Sequence, residues 1–152
     1  MTPIIDGKYE QKLSTAYATP REAIDEIKQK LKRGRKVRIN NIPTSLLREL
    51  APALQDKDLK VILPEGERPP RDIGVVAEYA TAKAKIYLEW KGREAVSGSI
   101  GFPDVVFNVA WLKPSGEILE ITAMEYSRCV KCMVNDTFDS AWRYSEKHGA
   151  EP

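Results

Sequence analysis

Histidine is the scarcest reactive residue here, with one copy, His148, four residues from the end of a 152-residue chain. Imidazole is the default proton carrier near neutral pH, so a mechanism needing two imidazoles at one centre requires two chains to meet there. Cysteine is almost as rare, with two copies, which excludes a disulfide scaffold. A chain of this length buries enough core to do without one. No apolar run approaches the ~20 residues of a membrane span. The opening MTPIIDGKYEQ also lacks the basic-then-apolar layout of a signal peptide. The expectation is a soluble cytoplasmic protein with reduced thiols and no membrane partner. GxGxxG, GxxxxGK[ST] and GxSxG are absent, and no Asp/Glu/His cluster has metal-ligand spacing.

Charge is nearly balanced overall, at +2, but unevenly distributed. Up to Val76 there are 15 basic and 11 acidic residues, and from Ala77 onward 9 and 11. Lys28 to Arg38 (KQKLKRGRKVR) holds seven cations and no acid. Unpaired cations in such a run can meet phosphates. Cations at a helix C-terminus also oppose the helix dipole and keep the segment solvated. The second reading is favoured, so nucleic acid is not an expected partner.

Residues 1–18 read as a tail or edge segment, and 19–148 as a single α/β domain. Thr19-Pro20-Arg21-Glu22 opens a helix by cap, first-turn proline and capping-box acid, with Ala23, Ile24, Ile27 and Leu31 on its apolar face. Gly34 ends it. Val37 and Ile39 lie on a short strand, and Thr44 or Ser45 caps a helix carrying Leu46, Leu47, Leu50 and Leu54, with Pro52 as a kink or second start. Leu59 to Leu63 is a second strand, and Pro64 to Asp72 a turn-rich connection. This alternation predicts right-handed crossovers and a parallel sheet.

The second half predicts hairpins. Lys85 to Trp90 and Glu94 to Ser97 flank Lys91-Gly92-Arg93; Val105 to Leu112 and Glu117 to Met124 flank Lys113-Pro114-Ser115-Gly116. Asp136 or Thr137 caps a last helix that runs through Phe138, Ala141, Trp142 and Ser145 and ends before Gly149, with His148 as a helix-terminus cation. Trp90, Phe102, Phe107, Trp111, Tyr126, Phe138, Trp142 and Tyr144 read as core packing rather than base-stacking groups. The fold class is α/β, one domain with a mixed, partly parallel sheet flanked by helices.

Two constellations carry chemistry. Cys129-Val130-Lys131-Cys132 is a CxxC pair. It fits unremarkable reduced cysteines, a redox pair favoured by Arg128 and Lys131, or half of a zinc site completed by a second chain. Lys83-Ala84-Lys85 and Gly98-Ser99-Ile100-Gly101 form the other, with a strand and charged turn between them. A small-residue turn after a strand leaves backbone N–H groups and a hydroxyl for an anion, with Lys85 as counter-charge. A plain tight turn that needs glycine fits the same residues.

The second constellation resembles half of the phospholipase D-like superfamily, whose domains read H-x-K, strand, turn, strand, then G-S-x-N or G-S-x-x-N. Lys83-Ala84-Lys85 stands at the H-x-K and Gly98-Ser99 at the G-S. Ala23 to Leu63 resembles the lead-in of archaeal TrmB-type regulators, and Phe138-Asp139-Ser140-Ala141-Trp142 their F-x-x-x-W closing helix. In this chain Lys83 replaces the nucleophilic histidine, the aspartate position falls near Trp90 or Lys91, and Gly101 or Phe102 occupies the asparagine position. The resemblance implies a homodimeric, non-catalytic binding or regulatory module that senses a small anionic or sugar-like ligand, or a protein partner, without a helix-turn-helix. The ligand-binding residues are then Lys83, Lys85, Gly98 and Ser99. The alternative is a thiol-based redox or zinc-tethered protein acting through Cys129 and Cys132. Phosphodiesterase activity is disfavoured by the histidine count, and no cofactor beyond that possible zinc is implied.

Overall fold

The computed structural model describes residues 13–84, 87–125 and 137–151. Alternating apolar residues drive the centre of the sheet. Lys36–Asn40 (β2), Asp58–Leu63 (β3) and Ala77–Thr81 (β4) are parallel neighbours, with Val37 beside Leu59 and Val61 beside Tyr79. The antiparallel half comprises Tyr87–Trp90 (β5), Arg93–Gly101 (β6), Val105–Trp111 (β7) and Ile118–Glu125 (β8). Leu13–Ala16 (β1) closes one edge against β8, and Glu146–Glu151 (β9) closes the other against β4. The order is β1-β8-β7-β6-β2-β3-β4-β9, with β5 also on β6. Sheet pairing therefore runs from Leu13 to Glu151.

Helix α1 (Pro20–Leu31) starts as its sequence dictates, with Thr19 Oγ1 accepting from Glu22 N at 3.4 Å. It turns Ala23, Ile24, Ile27 and Leu31 onto one face of the sheet, where α2 (Thr44–Leu50) adds Leu46, Leu47 and Leu50. Pro52 begins a separate 3-10 turn, Ala51–Leu54, because it has no N–H to continue the α-helix. Val37, Ile39, Val61, Tyr79, Ile100, Phe107, Val109 and Ile121 supply the facing side chains. The opposite face is more polar. There a third helix, α3 (residues 137–143), buries Phe138, and Lys60 Nζ lies 5.2 Å from the centre of the Trp142 ring.

Both predicted hairpins form. Lys91 (φ 48°) and Gly92 (φ 76°) make a two-residue turn between the paired Trp90 and Arg93, the left-handed geometry that matches strand twist. Three expectations are corrected. The last helix stops at residue 143 and the chain returns as β9, so His148 is in a strand. Glu146–Glu151 has no hydrophobic alternation to announce it. Tyr144 is 72% exposed and no part of the core. Gly98 and Ser99 are not in a turn but inside β6, opposite Val109 and Asn108 of β7, with Ser99 also opposite Asn40 of β2.

Asn41 joins the two halves of the sheet. It leaves β2 in the left-handed region (φ 58°), which asparagine tolerates. Its N–H donates to Ile62 O at 2.8 Å, its side-chain amide donates to Ser97 O at 2.8 Å, and its carbonyl accepts from Trp111 Nε1 at 2.9 Å. A Cβ at Gly98 would stand 2.1 Å from that same carbonyl oxygen. Gly98→Ala is expected to cost about 3 kcal/mol through this overlap. That lowers the thermal midpoint by roughly 6–12 °C. Gly101→Ala, whose Cβ meets nothing closer than Arg38 O at 3.5 Å, leaves it almost unchanged. Circular-dichroism melts of the two variants read the difference.

Helix α1 is tied to α2 by Glu49, which accepts from Arg21 and from Lys28 at 2.9 Å. The Arg21 hydrogen bond, then that of Lys28, holds the Glu49 carboxyl at about 2, well below its usual 4.5. A depressed carboxylate stabilises the fold above its unfolded-state value and loses that contribution as pH falls through the folded one. Glu49→Gln is expected to cost about 1 kcal/mol at neutral pH, a figure held down by solvent screening of the half-exposed pair. The gap between wild type and variant in denaturant melts narrows below pH 4.5 and closes near pH 2.

Candidate functional site

The parallel strands β3 and β4 end side by side, and a cleft opens beyond their carboxyl ends, where open α/β sheets place ligands. Its floor is set by the turn after β3. Pro64 cannot extend the ladder, and Gly66 (φ 84°) reverses the chain so that Glu67 N donates to Pro64 O at 3.0 Å. Beside it β4 ends at Thr81, and Ala82 N donates to Leu63 O at 2.9 Å. The connection from β4 towards β5 brings Lys83 to the rim. Strand β9, antiparallel to β4, brings Glu146 and His148 to the same place.

Thr81 organises the cleft. Its buried hydroxyl donates to Glu67 O at 2.7 Å and lies 2.7 Å from His148 Nε2. A hydroxyl has one hydrogen to give, so with that hydrogen on Glu67 O the contact to His148 has Nε2–H as donor. Neutral His148 then keeps Nδ1 as an acceptor. Thr44 Oγ1, at the start of α2, donates to Glu67 Oε1 and holds the other end of that residue. The cavity measures about 340 Å³ and is lined by Glu65, Gly66, Glu67, Arg68, Thr81, Ala82, Lys83, Glu146 and His148. Neither Arg68 nor Lys83 forms a hydrogen bond or ion pair with another described residue. Across the Glu65–Glu67 turn a second hollow of about 420 Å³ runs to Trp111 and the β7–β8 turn, where Lys113 Nζ donates to Glu65 O at 2.9 Å.

Of the residues singled out from sequence, Lys83 lines the cleft. Gly98 and Ser99 do not line it. In β6 their backbone groups belong to the sheet, and Ser99 shares a half-buried polar row with Asn40 and Asn108. In that row Asn40 Oδ1 is buried without a hydrogen-bond partner. Lys85, Cys129 and Cys132 lie outside the described residues. Among the described residues no three His, Cys, Asp or Glu side chains gather as a metal site.

Thr81, Glu67, Arg68 and His148 were not legible as one site. Thr81 and His148 are 67 positions apart and meet only because β9 pairs with β4. One signal was available for Glu65 to Arg68, a polar turn directly after a buried strand, which is where such ligand sites form.

No family model and no curated protein matches the sequence. Solved structures do. Nuc from Salmonella typhimurium, a phospholipase D family member, superposes with a TM-score of 0.59 at 8% identity, over 91% of this chain and 99% of that one. NucT from Helicobacter pylori gives 0.55 at 12%, over 91% and 100%. TrmBL2, an archaeal chromatin protein whose structure shows a novel mode of DNA binding, gives 0.55 at 11%, over 97% of this chain but 57% of its own. At such identities the likeness speaks for architecture alone: the α/β fold of this chain is like that of these phospholipase D family structures.

Proposed function

We propose that the chain is a non-catalytic binding module that takes a small anionic or sugar-like ligand in the cleft beyond β3 and β4. The observation that carries this is the pairing of two unengaged cations, Arg68 and Lys83, with a fixed hydroxyl-imidazole couple, Thr81–His148, in one cavity of about 340 Å³. That volume lies in the range of small-ligand sites. The cations suit a phosphate or carboxylate. Glu65, Glu67 and Glu146 suit the hydroxyls of a sugar, so a sugar phosphate satisfies both sets of groups. The reading is non-catalytic because the sequence has one imidazole, and Lys83 stands where the resemblance calls for a nucleophilic histidine. The resemblance also supports a homodimer.

Thermal shift with sugar phosphates, nucleotides and inorganic phosphate tests the reading. A ligand present at 100 times its Kd stabilises by about 2.7 kcal/mol. For a domain of this size that raises the midpoint by roughly 5–10 °C. The rise is expected with a sugar phosphate and is expected to shrink in Lys83→Ala. No shift from any of these anions, or an undiminished shift in Lys83→Ala, sinks the proposal.

Thr81→Val, nearly the same size, is expected to lower stability by about 1–2 kcal/mol, because Glu67 O and His148 Nε2–H each lose a partner. It is also expected to weaken the ligand-induced shift. Urea melts with and without ligand separate the two effects.

A further inference from the structure

At the other end of the parallel strands from the cleft, where α1 leads into β2, the basic run from Lys28 to Arg38 divides into two groups. Three of its cations have structural partners: Lys28 with Glu49 at 2.9 Å, Lys30 with Asp104 at 2.6 Å and Arg38 with Asp58 at 3.3 Å. The sequence expectation was that cations of the run oppose the dipole at the C-terminus of α1 and keep the segment solvated; Lys28 and Lys30 do stand in its last turn. The hydrogen bonds to the terminal carbonyls come from outside the run. Lys57 Nζ donates to Leu31 O and, at 2.6 Å, to Gly34 O, covering the carbonyls at the end of α1. Lys32, Arg33, Arg35 and Lys36 are thus left exposed and without a side-chain partner among the described residues. Two nearby acids, Asp58 and Asp104, are already paired.

These four cations flank Gly34 on the turn from α1 into β2, within a chain span of at most ~14 Å. A DNA duplex presents about one negative charge per 1.7 Å of axis, so this turn meets several phosphates at once. No aromatic residue stands among the four, and the contact that fits is with the sugar-phosphate backbone rather than with base edges. We infer that the α1–β2 turn is a sequence-independent docking surface for the phosphate backbone of a nucleic acid, separate from the cleft beyond β3 and β4. The inference does not depend on that cleft holding a ligand.

Fluorescence anisotropy with a labelled duplex of about 20 bp and arbitrary sequence, from about 50 to 200 mM salt, tests it. Wild-type chain is expected to bind with a log–log salt slope of about −3, as for three to four neutralised phosphates. The variant with Lys32, Arg33, Arg35 and Lys36 all changed to Gln is expected to lose about tenfold or more in affinity at the low-salt end, with a slope near zero. A control with the same loss of charge elsewhere, Lys91, Arg93, Arg143 and Lys147 all changed to Gln, is expected to keep most of the wild-type slope. Thermal melts confirm that each variant is folded, and the double variant Arg33→Gln/Arg35→Gln serves if the quadruple one is not. The inference is overturned if wild type fails to bind at the low-salt end, if the turn variant binds like wild type, or if the control loses as much. Equal binding of poly-glutamate also overturns it, by assigning the turn to an acidic protein partner.

Discussion

The backbone of β6 passes so close to the carbonyl of Asn41 that no side chain fits at position 98, and the two halves of the sheet meet at this contact. On one side lie the parallel strands β2, β3 and β4; on the other lie β6, β7 and β8 in antiparallel order. Asn41 bonds to both. Its backbone N–H goes to β3, its side chain to β6, and its carbonyl accepts the indole of Trp111 on β7. The residue is buried, so each of these bonds offsets a desolvated polar group that would otherwise cost about 1–3 kcal/mol. The left-handed turn at Asn41 also directs the chain through Pro43 into α2, whose first residue braces Glu67.

The cleft inherits its geometry from that arrangement. Parallel strands end together at one edge, and their connections must cross it, so polar turns and backbone groups collect there. Pro64, Gly66 and Thr81 convert the edge into a fixed hollow. The cations at the rim remain unpaired while the Glu67 carboxylate and the Thr81 hydroxyl are held. That balance suits reversible binding of a polar solute. The degenerate motif is split by the same topology. Lys83 faces the cleft at the end of β4, whereas Gly98 and Ser99 serve the sheet. Gly98 is a packing requirement of that sheet.

Much of the architecture was legible because its causes are local. The α1 cap at Thr19, the interruption at Pro52 and the turn at Lys91-Gly92 each follow from the stereochemistry of a few neighbouring residues. The alternation of Val37 with Ile39, and the apolar run Leu59 to Leu63, declared buried strands. Strand β9 was not legible. Its residues are polar, and its only reason to be extended is the edge that β4 offers. Strand β4 was missed because its five residues follow a turn-rich stretch and carry a short pattern.

The sequence by itself determined the α/β class, the mixed sheet, the scarcity of imidazole and the concentration of cations between Lys28 and Arg38. Those are properties of composition and short-range periodicity, which act within a few residues along the chain. Tertiary structure alone decided that His148 meets Thr81, that Lys57 rather than the basic run covers the end of α1, and that Gly98 must be glycine. Each of these depends on which strands and loops pack together. A contact between residues 67 or 57 positions apart leaves no trace in local pattern, because its partners are selected by the whole folded sheet.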